Sequence, residues 1–196
     1  MKKIPISREE AISKLKEMPG QTEQLMGHYI ESEAIMRGLA RHFREDEEYW
    51  GMLGLLHDVD TAYTKDNLSE HCLKARDILS GWGFDSEFIE TIQSHVYGLD
   101  IVPAFKDKTR DKMIEYALVA AETISGMIYA YALMRGKRIS DMKVKGLKKK
   151  FKDKTFAAGC DRELIREIEK TGLELSEFFE IAISSMKEIK DDIGLE

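Results

Sequence analysis

Apolar positions recur at intervals of three and four along almost the whole chain, and no stretch alternates apolar and polar residues over a strand's length. Ser7-Arg8-Glu9-Glu10 has the form of a capping box and opens a short helix that ends before Pro19-Gly20. The spacing predicts a longer helix from about Thr22 to Phe43. Asp46 caps the next, which carries Gly51-Met52-Leu53-Gly54-Leu55-Leu56 into His57-Asp58. Asn67 or Ser69 starts a helix that stops at Gly81 or Gly83, and Asp85 or Ser86 starts another that stops at Gly98. A long helix is expected over about Asp107 to Arg135, closed by Gly136, with Ser140, Asp161 and Ser176 capping three more. There are only three prolines, and neither a repeat nor a low-complexity linker interrupts the pattern. The expected fold class is all-α, an irregular helical bundle. It forms one domain over residues 1–196, with a core over about 22–135 and a helical C-terminal extension over about 137–196.

Composition narrows this picture little: 43% hydrophobic and 34% charged residues are ordinary for a globular chain of 196 residues. Cys72 and Cys160 form no Cys-x-x-Cys pair and read as isolated thiols in a reducing compartment. Met1-Lys2-Lys3 is not followed by an apolar segment, and the longest apolar run, Met127 to Met134, is far shorter than the roughly 20 residues of a bilayer span. A cytoplasmic location without a membrane partner is expected. The net charge of −6 is uneven. Nine Lys and Arg against Asp141 and Asp153 give Lys137 to Lys154 a charge of +7 and leave −13 on the rest. An acidic whole argues against long nucleic acids as partners, while one basic segment suits a small anionic ligand.

The chemistry concentrates in the histidines. His28 aligns with Leu25 and Ile35, His71 with Leu68, Ala75 and Ile78, and His95 with Phe88 and Ile92, each on an apolar face. His57 follows an apolar run, whereas His42 sits among Arg41, Arg44, Glu45 and Asp46. A single inward histidine is ordinarily a satisfied core residue. Four at once need several partners, and one shared metal ion supplies them all. Asp58 lies in the same apolar surroundings as His57, and Glu122 lies mid-helix among small residues, Ala117-Leu118-Val119-Ala120-Ala121-Glu122-Thr123-Ile124-Ser125-Gly126. Each of these acids ends up either exposed or partnered.

His28, the His57-Asp58 doublet after a Gly-Leu-Leu helix, His71, His95 and an acid at 122 together resemble the HD-domain superfamily of metal-dependent phosphohydrolases. The likeness covers about residues 22–135. The tail, with Lys148-Lys149-Lys150-Phe151-Lys152-Asp153-Lys154 and Phe156-Ala157-Ala158-Gly159, is similar to compact stand-alone members. The resemblance implies that His28, His57, Asp58 and Glu122 hold a first metal. His71 and His95 hold a second, with Asp58 bridging and with Asp58 and His57 central to catalysis. Glu122 departs from the family's usual aspartate by one methylene. Imidazole and carboxylate ligands suit one or two ions of iron, manganese, zinc or nickel. The implied activity is hydrolysis of a nucleotide or similar small phosphate ester through a metal-activated water, with Lys148, Lys149 and Lys150 as candidates for the substrate phosphate. The alternatives are a di-iron oxygenase of the HD type and a non-catalytic module that senses a nucleotide.

Overall fold

The computed structural model describes residues 3–196, and among these residues the chain is helical without strands. Helix α1 (Arg8–Glu17) starts on the expected capping box: Glu10 N–H donates to Ser7 Oγ, and Ser7 N–H donates back to the Glu10 carboxylate. Thr22 caps α2 (Glu23–Phe43) and Asp46 caps α3 (Glu47–Leu56), as their side chains accept the first free N–H groups of each helix. A short α4 (Thr61–Thr64) follows. Then come α5 (Leu73–Gly81), α6 (Ser86–Gln93, capped by Asp85), α7 (Met113–Met134), α8 (Val144–Lys152), α9 (Arg162–Arg166, capped by Asp161) and α10 (Leu175–Glu188).

Five boundaries differ from the sequence pattern, the first four each through a tertiary or capping hydrogen bond. The helix expected from Asn67 or Ser69 is broken: a 3-10 turn at Leu68–Glu70 gives way at His71-Cys72, and α5 begins only at Leu73. The buried Asp60 holds this break by accepting from both His71 Nδ1 and Ala75 N. Helix α6 stops at Gln93, and His95 lies in a 3-10 turn, Ser94–Val96, whose carbonyl groups are taken by Arg110. Helix α7 begins at Met113 rather than near Asp107, because the Glu115 carboxylate accepts from the N–H groups of Asp111 and Lys112. Helix α8 starts after Lys143, not at Ser140, whose N–H donates to the Glu196 carbonyl group at 3.0 Å. Helix α10 begins at Leu175, one residue ahead of the expected Ser176 cap.

Helix α7 runs through the middle of the bundle, packed by α2, α3, α6, α8, α9 and α10. By length and composition it is apolar enough to cross a membrane, but most of its apolar stretch is buried against these neighbours. One hydrophobic core runs from Ala11 in α1 to Leu195, so the C-terminal helices share the core of α2, α3 and α7. Helices α2 and α3 pack closely at Gly54, where a Cβ would stand 2.6 Å from the Ser32 carbonyl oxygen. Only glycine permits this approach, and it brings His57, at the end of α3, beside His28 on α2.

Candidate metal centre

Four imidazoles meet at the base of α3. His28 comes from α2, His57 from the end of α3, His71 from the break before α5 and His95 from the 3-10 turn after α6. In each, the Nδ1 proton is committed. His57 donates to the Gly54 carbonyl group at 2.8 Å and His95 to the Ile92 carbonyl group at 2.7 Å. The Asp60 carboxylate accepts from His71 at 2.9 Å. The Ser125 hydroxyl donates to the Glu122 carbonyl group, so it accepts from His28 at 3.1 Å. All four Nε2 atoms therefore face inward: His28 and His57 approach Nε2 to Nε2 at 3.1 Å, and so do His71 and His95. At that distance two ring nitrogens need a shared proton or a metal ion between them.

Asp58 stands between the two pairs. Its Oδ2 is 3.8 Å and 3.6 Å from the Nε2 atoms of His28 and His57, and its Oδ1 is 3.1 Å and 3.4 Å from those of His71 and His95. The Tyr29 hydroxyl fixes the local backbone by donating to the Asp58 carbonyl group. Burial penalises the Asp58 charge, but the surrounding imidazoles outweigh it and hold the carboxyl well below its ordinary range. Burial pulls His57 down to about 3 despite Asp58, which keeps it a neutral imidazole. His71 is also penalised by burial, yet its hydrogen bonds to Asp58 and Asp60 raise it above its ordinary value.

The donor set fits a metal. Nitrogens bound to one tetrahedral ion at 2.0–2.1 Å lie about 3.3 Å apart, close to the spacing of each histidine pair. His28, His57 and Asp58 form one group of ligand atoms within 4.8 Å of one another, and His71, Cys72 and His95 form a second. Glu122 is half-buried on α7, and its carboxylate accepts a hydrogen bond from the adjacent Thr123. No ion pair within 4.0 Å joins it to a histidine among the described residues. Burial raises its pKa, and His95 and His28 oppose the shift. His42 is exposed, 3.7 Å from Glu177 and apart from this cluster.

Several supporting residues carry no sequence motif. Asp60, fully buried, orients His71 in the way that carboxylates orient metal-binding imidazoles. Arg110 donates to the carbonyl groups of Ser94 and Tyr97 and pairs through both nitrogens with Glu167, tying the turn that bears His95 to the C-terminal helices. A cleft of about 1100 Å³ opens beside His28, bordered by Glu31, Arg8, Lys16 and Lys137. Burial raises the Glu31 carboxyl to about 8. Lys148 and Lys149 line a different, shallow groove on α8, and the Lys150 ammonium lies over the Phe156 ring. Of the basic segment, it is Lys137 that reaches the His28 cleft.

Residues 25–133 match the family described as HD domain, more than half of the chain, and the chain belongs to that family. HD domains are in general metal-dependent phosphohydrolases. No curated protein and no solved structure matches the chain.

Proposed function

We propose that this protein is a metal-dependent phosphohydrolase acting on a nucleotide or similar small phosphate ester. The observation that carries the proposal is the Asp58 carboxylate set between two histidine pairs whose Nε2 atoms all face inward. His28, His57 and Asp58 would hold one divalent ion, with Glu122 the remaining acid on that side. His71, His95 and Asp58 would hold a second. Such ions supply Lewis acidity and make water a nucleophile near neutral pH. The chain's own part is to fix the ligands. Gly54, Ile92, Asp60 and Ser125 each hold one imidazole Nδ1, which leaves Nε2 as the atom each ring can offer to a metal. Lys16 and Lys137 stand along the cleft beside His28, where the rest of an anionic substrate would lie, and Glu23 and Asp192 border the same cleft. Arg8, also on its border, is paired with Glu33 at 2.6 Å.

A phosphate-release screen across nucleotides and phosphodiesters, run on metal-replete protein, tests this. Activity is expected against at least one class, lost in Asp58→Ala and kept in His42→Ala. An Asp58→Ala variant with full turnover would overturn the mechanism. The non-catalytic reading draws on one observation, the turn of the Glu122 carboxylate toward Thr123. It predicts nucleotide binding without any phosphate release.

A further inference from the structure

Beside His71 and His95, the metal-binding side of the centre includes a thiol. Cys72 Sγ lies 3.8 Å from the His71 Nε2 atom and 3.8 Å from both ring nitrogens of His95. The side chain is fully buried, and its backbone is left-handed at φ 64, a conformation that is strained for a non-glycine residue. Gln93 holds this conformation by donating its Nε2–H to the Cys72 carbonyl group at 2.9 Å, and Arg76 donates in turn to Gln93 Oε1. His95 points independently to a cation here. It is 5% exposed and its Nδ1 is bonded to the Ile92 carbonyl group, so its Nε2 faces the His71 Nε2 atom 3.1 Å away. That buried ring nitrogen is aimed at the same space as the thiol.

We propose that Cys72 is a sulfur ligand of the metal position formed by His71 and His95, with the Asp58 Oδ1 atom completing a two-nitrogen, one-sulfur, one-oxygen set. The inference rests on the metal-centre reading above and adds a ligand to it. Sulfur at 2.3 Å and nitrogen at 2.0–2.1 Å from one tetrahedral ion lie about 3.5 Å apart, a few tenths of an ångström inside the observed 3.8 Å. Binding exchanges the thiol proton for the ion: the S–H bond breaks, a sulfur–metal bond forms and one proton leaves to solvent. No electron is transferred. The two positions then differ in kind. The His28, His57 and Asp58 position offers only nitrogen and oxygen, whereas a thiolate shifts its neighbour's preference toward zinc, cobalt or ferrous iron and away from manganese or magnesium.

Cobalt(II) tests this without reference to activity. The protein is prepared as Cys160→Ser, which leaves Cys72 as its only cysteine, and loaded with cobalt to saturation. A thiolate-to-cobalt charge-transfer band in the near ultraviolet is expected, with the intensity of one sulfur per chain. Cys72→Ser and Cys72→Ala in the same background should lose that band while retaining the visible cobalt bands of the other position. The Cys160→Ser protein decides the matter by itself if the Cys72 variants fail to fold. Two cobalt ions per chain without a sulfur band would overturn the assignment of Cys72 and leave the metal centre standing. Failure to retain any cobalt would overturn the metal centre, and Cys72 with it.

Discussion

Replacing Gly54 with alanine tests how the packing of two helices sets the centre. The added Cβ would stand 2.6 Å from the Ser32 carbonyl oxygen, 2.7 Å from its carbon and 2.8 Å from Glu33 N. Unstrained contacts of this kind lie at about 3.5 Å, and all three neighbours are backbone atoms of α2 that no rotamer change can move. The helices must therefore part by roughly 0.7–0.9 Å. Overpacking of this kind costs about 1–3 kcal/mol, offset by up to about 1 kcal/mol from the better helix propensity of alanine, so a net loss of about 1–2 kcal/mol is expected. The effect on the metal should be larger. Gly54 also accepts the Nδ1 proton of His57, and α2 carries His28, so parting the helices widens the 3.1 Å gap between the two Nε2 atoms. Ligand constellations tolerate only about 0.5 Å of such error, and metal affinity should fall at least about tenfold, or about 1.4 kcal/mol. Urea unfolding of chelator-treated protein gives the first quantity and competitive metal titration the second. Gly51→Ala is the control: its Cβ would meet Arg37 Nε and Cγ at 2.7 and 2.8 Å, side-chain atoms that can yield. If Gly54→Ala matched wild type in both assays, the close approach of α2 and α3 would not be what positions His57.

Three further outcomes are expected. Asp60→Asn can no longer accept from both His71 Nδ1 and Ala75 N, and should weaken the His71/His95 position roughly 10–100-fold in metal titration while sparing the other. Glu31, raised from its ordinary 4.5 to about 8 by burial, stays protonated in the folded chain where the unfolded chain ionises. Folding is then penalised progressively as pH rises from about 4.5 to about 8, by at most roughly 5 kcal/mol. Glu31→Gln should thus gain stability relative to wild type between pH 5 and 8.5 in urea unfolding, and an unchanged difference would contradict the shift. Neutralising Lys148, Lys149 and Lys150 together should move stability by no more than about 0.5 kcal/mol and leave kcat/KM unchanged, whereas Lys16→Gln with Lys137→Gln should raise KM. The reverse pattern would return the phosphate to α8.

The helices were legible wherever a local signal governed them. Ser7, Thr22, Asp46, Asp85 and Asp161 each cap the helix their position predicts. The breaks at His71-Cys72 and at Ser94–Val96 were not, because they depend on Asp60 and Arg110 reaching across the fold. Apolar spacing flagged His71 and His95 as inward, and the structure places both inward, but from turns rather than from regular helix. Cys72 left no trace in spacing, since its role follows from a left-handed backbone that no local pattern announces. Asp60, two residues beyond Asp58, was visible only as a second acid in an apolar segment. Ser125 was one of several small residues around Glu122, and only its place opposite His28 gives it a role.

In the proposed centre, Asp58 and the four inward imidazoles hold divalent ions. Elemental analysis most directly tests it, on protein loaded anaerobically with iron, manganese or zinc and then desalted, with Asp58→Ala treated in parallel. Two ions per wild-type chain, falling to nearly none in Asp58→Ala, is the predicted result. Wild-type protein that emerges without a stoichiometric ion, or an Asp58→Ala variant that keeps as much metal as wild type, would contradict it.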